Sequence, residues 1–247
     1  MRPPATQDSG IHKRPLRLLG LALSLCLIPA VAIAEPAESE PQQPEQATRE
    51  TALPEGLEPQ TEAQAETSAP VRVVEQLHES LLEAMMNADE LGYQGRFELL
   101  EPALQGTFDL NFMASKSVGR AWKRLEETEQ TRWQRAFGRL IVANFAGRFE
   151  GWTGQAFETL GEESAAHETR MVLTKIVDPE GDDVDLNYRM QEQDEGWRII
   201  DVYFKGTVSE LAMRRSEYSS VLKRDGFEAL IAAVDQRIAD LSTGSVQ

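Results

Sequence analysis

The sequence predicts an α+β domain in which helices lie on one face of a curved four-stranded antiparallel sheet. Three observations carry that expectation. Apolar residues recur at helical spacing from Val71 to Phe149, and again from Ser209 to Leu241. Between those blocks the period shortens to two. The period-two segments are joined by short connections rich in turn residues, which pairs consecutive strands antiparallel.

The chain of 247 residues opens with an address. Lys13, Arg14 and Arg17 precede an apolar run from Leu18 to Ile33, and Ala32-Ile33-Ala34 has the A-x-A form of a cleavage site. Residues 1–34 therefore read as a signal peptide, with the mature chain starting near Glu35. An uncleaved anchor is the alternative, since the run is about long enough to span a bilayer. Pro29 and the small residues before Glu35 favour cleavage. Cys26 is the only cysteine and lies inside this run, so the mature chain has no disulfide or cysteine-based metal site. Leu25 stands where a lipoprotein signal would place a small residue. Export by this route implies a bacterial envelope or extracellular setting, and the periplasm is the expected location.

Residues 35–70 are rich in Glu, Pro, Gln, Ala and Thr and contain no aromatic residue. Such a stretch buries too little apolar surface to offset its ordering entropy, and it is expected to be a disordered linker. The domain then occupies 71–247.

Val74, Leu77, Leu81 and Met85 form the first helical stripe. A second helix is expected around Arg96–Leu104, weakened by Pro102. Phe108-Asp109 opens a short helix bearing Phe112 and Met113. Thr128 has the character of an N-cap, with Glu129 in the first turn of the long helix that follows. That helix carries Trp133, Phe137, Leu140, Ile141, Asn144, Phe145 and Phe149. Four strands follow, over Gln155–Leu160, Glu168–Val177, Val184–Gln191 and Trp197–Lys205. In the third, Val184, Leu186, Tyr188 and Met190 alternate with Asp185, Asn187, Arg189 and Gln191, which gives one apolar face and one wet face. Ser209 starts a helix that ends at Gly226. The last helix carries Phe227, Leu230, Ile231, Val234, Ile238 and Leu241.

Charge narrows the function. The formal net charge is −16, from 41 acidic and 25 basic side chains. A nucleic-acid partner needs a cationic surface and is not expected. Passive adhesion to anionic headgroups is disfavoured on the same ground.

The search for catalytic chemistry yields little. Outside the signal the histidines are His78 and His167, and no G-x-S-x-G, H-E-x-x-H or P-loop occurs. Asp182, Asp183 and Asp185 lack the spacing of a calcium loop and read as a solvated turn. No cofactor or metal is expected. Asp201 stands out because its strand is otherwise apolar on both faces, and a carboxylate buried there needs hydrogen bonds or a cation. The structural reading is an ion pair, with Arg214 or Arg215, or a cap joining strand to helix. The catalytic reading is a general base, with Tyr188 or Tyr203 as donor, and it has the weaker support.

From Trp197 onward, Trp197-x-Ile199-x-Asp201-Val202-x-x-x-Gly206-x-Val208-Ser209, then Arg215-x-x-Tyr218, then Leu222-x-x-x-Gly226, the chain resembles the MlaC family, the toluene-tolerance auxiliary proteins of ABC transporters. Phe108-Asp109, Gly119-x-x-Trp122 and the run Phe137–Phe149 agree with it. Asn144–Phe149, Asp185–Met190 and Ser209–Glu217 are most similar to the hopanoid-associated HpnM branch.

The resemblance implies an NTF2-like sheet with added helices enclosing a lipid cavity, and no enzymatic activity. It implies phospholipid or hopanoid as ligand, with an inner-membrane lipid ABC transporter complex and an outer-membrane lipoprotein complex as partners. The residues expected to line the cavity are Phe112, Met113, Phe145, Phe149, Val184, Leu186, Tyr188, Met190, Leu211 and Tyr218. Trp197, Asp201, Gly206 and Arg215 are expected to be structural. Apolar stripes of this kind also make ordinary cores, so an NTF2-like enzyme using Asp201 and a closed-core interaction module stand as alternatives. A carrier must cover hydrocarbon at about 0.8 kcal/mol per methylene, roughly 12 kcal/mol for a sixteen-carbon tail.

Overall fold

A computed structural model of the chain describes residues 67–244. The export signal at 1–34 and most of the acidic stretch lie outside the described residues. Helix α1 spans Ala69–Met86 and so starts two residues before Val71. Ser68 caps it, its hydroxyl accepting from the Val71 amide, and Pro70 sits in the first turn, where its missing N–H is not needed.

Helix α2, Ala88–Thr107, is longer than the predicted Arg96–Leu104 and bends at Gly92. Pro102 does not end it. Its ring is exposed, and the fully buried Leu100 and Leu104 hold that turn against the core. Asp109 caps α3, Leu110–Ser117, by accepting from the Phe112 amide at 2.8 Å. A 3-10 turn over Gly119–Arg124 leads to α4, Glu127–Arg148. The cap of α4 is Glu126 and not Thr128: the Glu126 amide donates to Glu129 Oε2 at 2.9 Å, which places Thr128 inside the first turn.

The sheet comprises β1 (Ala156–Ala165), β2 (Thr169–Val177), β3 (Val184–Gln193), β4 (Gly196–Phe204) and β5 (Val208–Ser209). They lie in the order β1-β2-β3-β4-β5, every pair antiparallel. This corrects the expectation of a four-stranded sheet bent into an NTF2-like cone. A fifth strand is present, and the sheet is open, with β1 and β5 at opposite edges rather than curled round a space. Two physical reasons account for the difference. A two-residue strand is too short to show a period of two. Alternation in a strand reports which face is buried and says nothing about whether the edges approach one another. The β1 edge is largely exposed and is interrupted by a bulge between Thr159 and Gly161, a common way of blunting an edge.

Helices α5 (Glu210–Asp225) and α6 (Phe227–Ser242) close the domain. Ser209 caps α5 as predicted, its hydroxyl accepting from Ala212 at 2.9 Å, and Gly226 follows the helix. α4 packs against α2, α3 and α6, and α1 against α2 and the sheet. The helical core centres on Trp133, which is fully buried and donates its indole N–H to the Ala114 carbonyl at 2.9 Å. A pin joins the two layers. Phe108 bridges to Ile199, and the Asp109 amide donates to the Ile199 carbonyl at 2.9 Å. The junction of α2 and α3 thereby occupies a stretch of β4 that β5 is too short to pair.

Candidate functional site

The alternation in β3 holds. Leu186, Tyr188 and Met190 are buried, and Asp185 and its alternates face outward. Register sets Val172 of β2 and Val202 of β4 beside Tyr188, both buried, so the inner face of the sheet is apolar across three strands. Opposite it runs a chain of rings. Phe108 meets Phe145 at 5.8 Å, Phe145 stacks on Phe149 at 5.8 Å, and Phe149 meets Phe157 of β1 at 6.3 Å. Phe157 stacks on the His78 imidazole at 4.1 Å, and His78 Nε2 hydrogen-bonds the Tyr188 hydroxyl at 3.0 Å.

This seam lies between the helices and the sheet. It brings together the predicted residues Phe145, Phe149 and Tyr188, with Leu186 and Met190 on the same face of β3 and Val184 half-buried at its end. It also contains Phe108, Phe157 and His78, which sequence reasoning did not assign to a site. An apolar alternate at Phe157 in a mostly polar strand was the available clue. His78, on the apolar stripe of α1 beside Leu77, was another.

The seam carries no charge. Burial holds the His78 pKa down to about 3, so the ring is neutral at physiological pH. Burial also pushes Tyr188 well above the ordinary phenol value, which keeps its proton in place.

The remaining predicted lining residues sit elsewhere. Phe112 is half-buried on α3 beneath the Lys116 ammonium, 4.8 Å from the ring centroid. Met113 is buried on the same helix. Tyr218 packs edge-on against Trp133 at 5.3 Å and takes a hydrogen bond from Arg214 at 3.1 Å. Leu211 is half-buried in the first turn of α5. Trp197 is half-buried at the start of β4, and Gly206 takes φ +72° in the turn between β4 and β5.

Asp201 acts as a cap. Its Oδ1 accepts from the Val202 amide at 2.8 Å and the Leu211 amide at 3.0 Å, and its Oδ2 accepts from the Ser209 hydroxyl at 2.6 Å. Burial pushes its pKa up, and those three donors and the Arg189 charge oppose the shift. The expected partners Arg214 and Arg215 are otherwise engaged: Arg214 pairs with Glu210 at 3.7 Å, and Arg215 lies against Gly119. Both carboxylate oxygens of Asp201 are occupied in joining β4 to α5, so neither is aimed at a substrate. In the acidic turn, Asp183 pairs with Lys175 at 3.0 Å. Among the described residues no three His, Cys, Asp or Glu side chains assemble as a metal site.

One hollow of about 890 Å³ lies between helices α2–α4 and the β3–β4 hairpin, lined by polar groups such as Glu101, Arg135, Arg139 and Arg198 and by Phe108. A second, of about 300 Å³, lies between the 3-10 turn and α5. None of the ten predicted lipid-lining residues borders either. Tyr188 and Met190 are fully enclosed, and Phe149 is 5% exposed. Among the described residues no helix is long and apolar enough to cross a membrane.

Comparison with known proteins places this architecture. No curated protein matches the chain significantly. A solved structure of the phospholipid-binding protein from Ralstonia solanacearum, in complex with a phospholipid, shares the fold at a TM-score of 0.62. The two are 20% identical over 71% of this chain and 99% of that one. The family model described as MlaC protein matches residues 75–236, from within α1 to within α6. That span takes in the aromatic seam, the Asp201 cap and the whole sheet, and the chain is therefore a member of the MlaC family.

Proposed function

We propose that the protein is a periplasmic lipid carrier whose ligand tails enter the aromatic seam between the helices and the open sheet. The observation that carries this reading is the seam itself: Phe108, Phe145, Phe149 and Phe157 continue into a histidine held neutral, with no ionised side chain along the row. Such a surface suits hydrocarbon and penalises a charged or strongly hydrated ligand. Tyr188 and Met190 are fully enclosed and Phe149 nearly so, so a tail that enters this row must part the helices from the sheet. The cost of parting is offset by the tail's own withdrawal from water, roughly 12 kcal/mol for sixteen carbons.

The tails belong to phospholipid or, if the chain sits in the hopanoid-associated HpnM branch, to hopanoid. The carrier receives or delivers them at an inner-membrane lipid ABC transporter complex and an outer-membrane lipoprotein complex, after export through the signal at 1–34. Membership of the MlaC family and the phospholipid held by the Ralstonia protein support the ligand class. Asp201 is engaged by the Val202 and Leu211 amides and the Ser209 hydroxyl, which speaks for its capping role over that of a general base.

Native mass spectrometry of protein purified from its own periplasm tests the reading. The expected result is a bound lipid, lost in Phe149→Asp with the helical signal retained. Protein that carries no lipid and takes none up from phospholipid vesicles would make the seam ordinary core and the domain a closed interaction module.

A further inference from the structure

The hollow of about 300 Å³ between the 3-10 turn and α5 differs from the seam in chemistry and shares no residue with it. Arg120 and Arg124 line it from the turn, and Arg215, Ser219 and Lys223 line it from α5, where a spacing of four puts all three on one face. No described carboxylate lines it. Among the described residues none of its four cations has a carboxylate within 4.0 Å. In a chain with 41 acidic side chains this is a local inversion of charge. Like charges gathered round one hollow repel unless an anion lies among them. All four cationic residues are exposed, so an anion reaches them from solvent without any rearrangement of the core.

Gly119 gives the hollow its shape. It starts the 3-10 turn at φ +59°, and a Cβ there would stand 2.9 Å from Arg215 Nε. The bare glycine thus lets the Arg215 guanidinium lie against the turn that carries Arg120 and Arg124. Two stretches far apart in sequence, Gly119–Arg124 and Arg215–Lys223, are brought together at this point with like charge on both sides.

We propose that this hollow binds the phosphate group of a phosphate ester, held by the guanidinium forks of Arg120, Arg124 and Arg215 with Lys223 and the Ser219 hydroxyl beside them. Three arginines and a lysine supply more charge and more donors than one carboxylate can take up. A carboxylate brings a single charge and two oxygens, whereas a phosphate monoester at pH 7 brings close to two charges and three strong acceptor oxygens, according to pKa values of about 6 for its second proton. Guanidinium forks meet phosphate oxygens in two-point contact, and the ammonium adds a point charge that needs no fixed geometry. The volume reaches the lower end of the range of small-ligand pockets, which leaves room for the alcohol part of an ester as well as its phosphate. Two sources offer that chemistry, a soluble phosphate ester and the headgroup of an anionic phospholipid.

NMR titration of the exported chain with glycerol phosphate, and with acetate at matched ionic strength, tests the assignment. Glycerol phosphate is expected to shift the amides of residues 118–124 and 215–223 saturably and to bind about tenfold or more tighter than acetate. Arg120→Gln with Arg124→Gln should weaken it about tenfold, and Arg215→Lys, which keeps the charge and loses the fork, about threefold. Arg72→Gln with Lys205→Gln removes the same charge at exposed positions away from the hollow and should leave the affinity unchanged. Co-sedimentation with phosphatidylglycerol vesicles separates the two sources. Sedimentation that is lost in the Arg120 and Arg124 variant assigns the site to a membrane headgroup, and its absence while glycerol phosphate binds assigns it to a soluble ester. Each of three results would overturn the proposal: no saturable shift with glycerol phosphate, acetate bound as tightly, or equal weakening by the Arg72 and Lys205 variant. Because hollow and seam share no residue, these results stand whether or not the seam holds lipid.

Discussion

Lowering the pH should weaken this fold through His78 more than through any exposed group. The ring is 4% exposed, stacked on Phe157 at 4.1 Å, and its Nε2 bonds the Tyr188 hydroxyl. Its pKa is about 3 in the folded state, against 6.5 for the free side chain. Folding therefore favours the neutral form. The stability it contributes is complete above pH 6.5 and is lost as pH falls toward 3, because the unfolded chain takes up the proton first. Between pH 7 and pH 5 the loss is about 2 kcal/mol, and the whole shift corresponds to about 5 kcal/mol. Urea unfolding at the two pH values measures it, and a loss of that size moves the midpoint by about 1 M for a slope near 2 kcal/mol per molar. His78→Gln keeps a polar group near Tyr188 but does not titrate, so its stability should fall by about 2 kcal/mol less over the same interval. Carboxylates contribute equally to both proteins and cancel. Identical pH dependence in the wild type and His78→Gln would refute the argument that burial keeps this ring neutral.

Three further outcomes follow from single contacts. Asp201→Ala removes the acceptor of two amides and the Ser209 hydroxyl and should cost about 2–3 kcal/mol, read as a lower melting temperature with fraying of α5 in hydrogen exchange. Gly119→Ala forces a side chain into the left-handed region and against Arg215, and should cost about 1–2 kcal/mol in chemical denaturation. Trp133→Phe leaves the Ala114 carbonyl without its indole donor in a fully buried site, a loss of about 1–3 kcal/mol by the same measurement. A neutral result for any of the three would mean that the contact forms without contributing to stability.

Much of the fold was legible because it depends on local periodicity. The stripe from Val74 to Met85, the alternation of Val184 to Met190 and the Ser209 cap each follow from side chains a few residues apart, where helix and strand geometry fix which groups share a face. The start of α4 was misplaced at Thr128 because the cap depends on Glu129 reaching back to the Glu126 amide. The extent of α2 was underestimated because Pro102 could be judged only against the burial of Leu100 and Leu104.

The candidate site was legible only in part. Phe145 and Phe149 lie on one helical stripe and Tyr188 on the alternating face of β3, so sequence sufficed to make each an inward-facing residue. Nothing in sequence placed Phe112 and Tyr218 against α3–α5 neighbours instead, because several apolar faces compete for one core. Phe157 and His78 come from β1 and α1, and only strand register and helix packing bring them together.

The sequence by itself determined the α+β order, the wet and dry faces of the sheet, the acidic character of the chain and the cap at Ser209, and it left Asp201 open between ion pair, cap and base. Tertiary structure alone decided that the sheet stays open, that six rings from α1, α2–α3, α4, β1 and β3 join into one uncharged row, and that Arg215 meets Gly119. Those outcomes rest on contacts between residues distant along the chain, whose partners are selected by the packing of whole layers and leave no repeat in the local pattern.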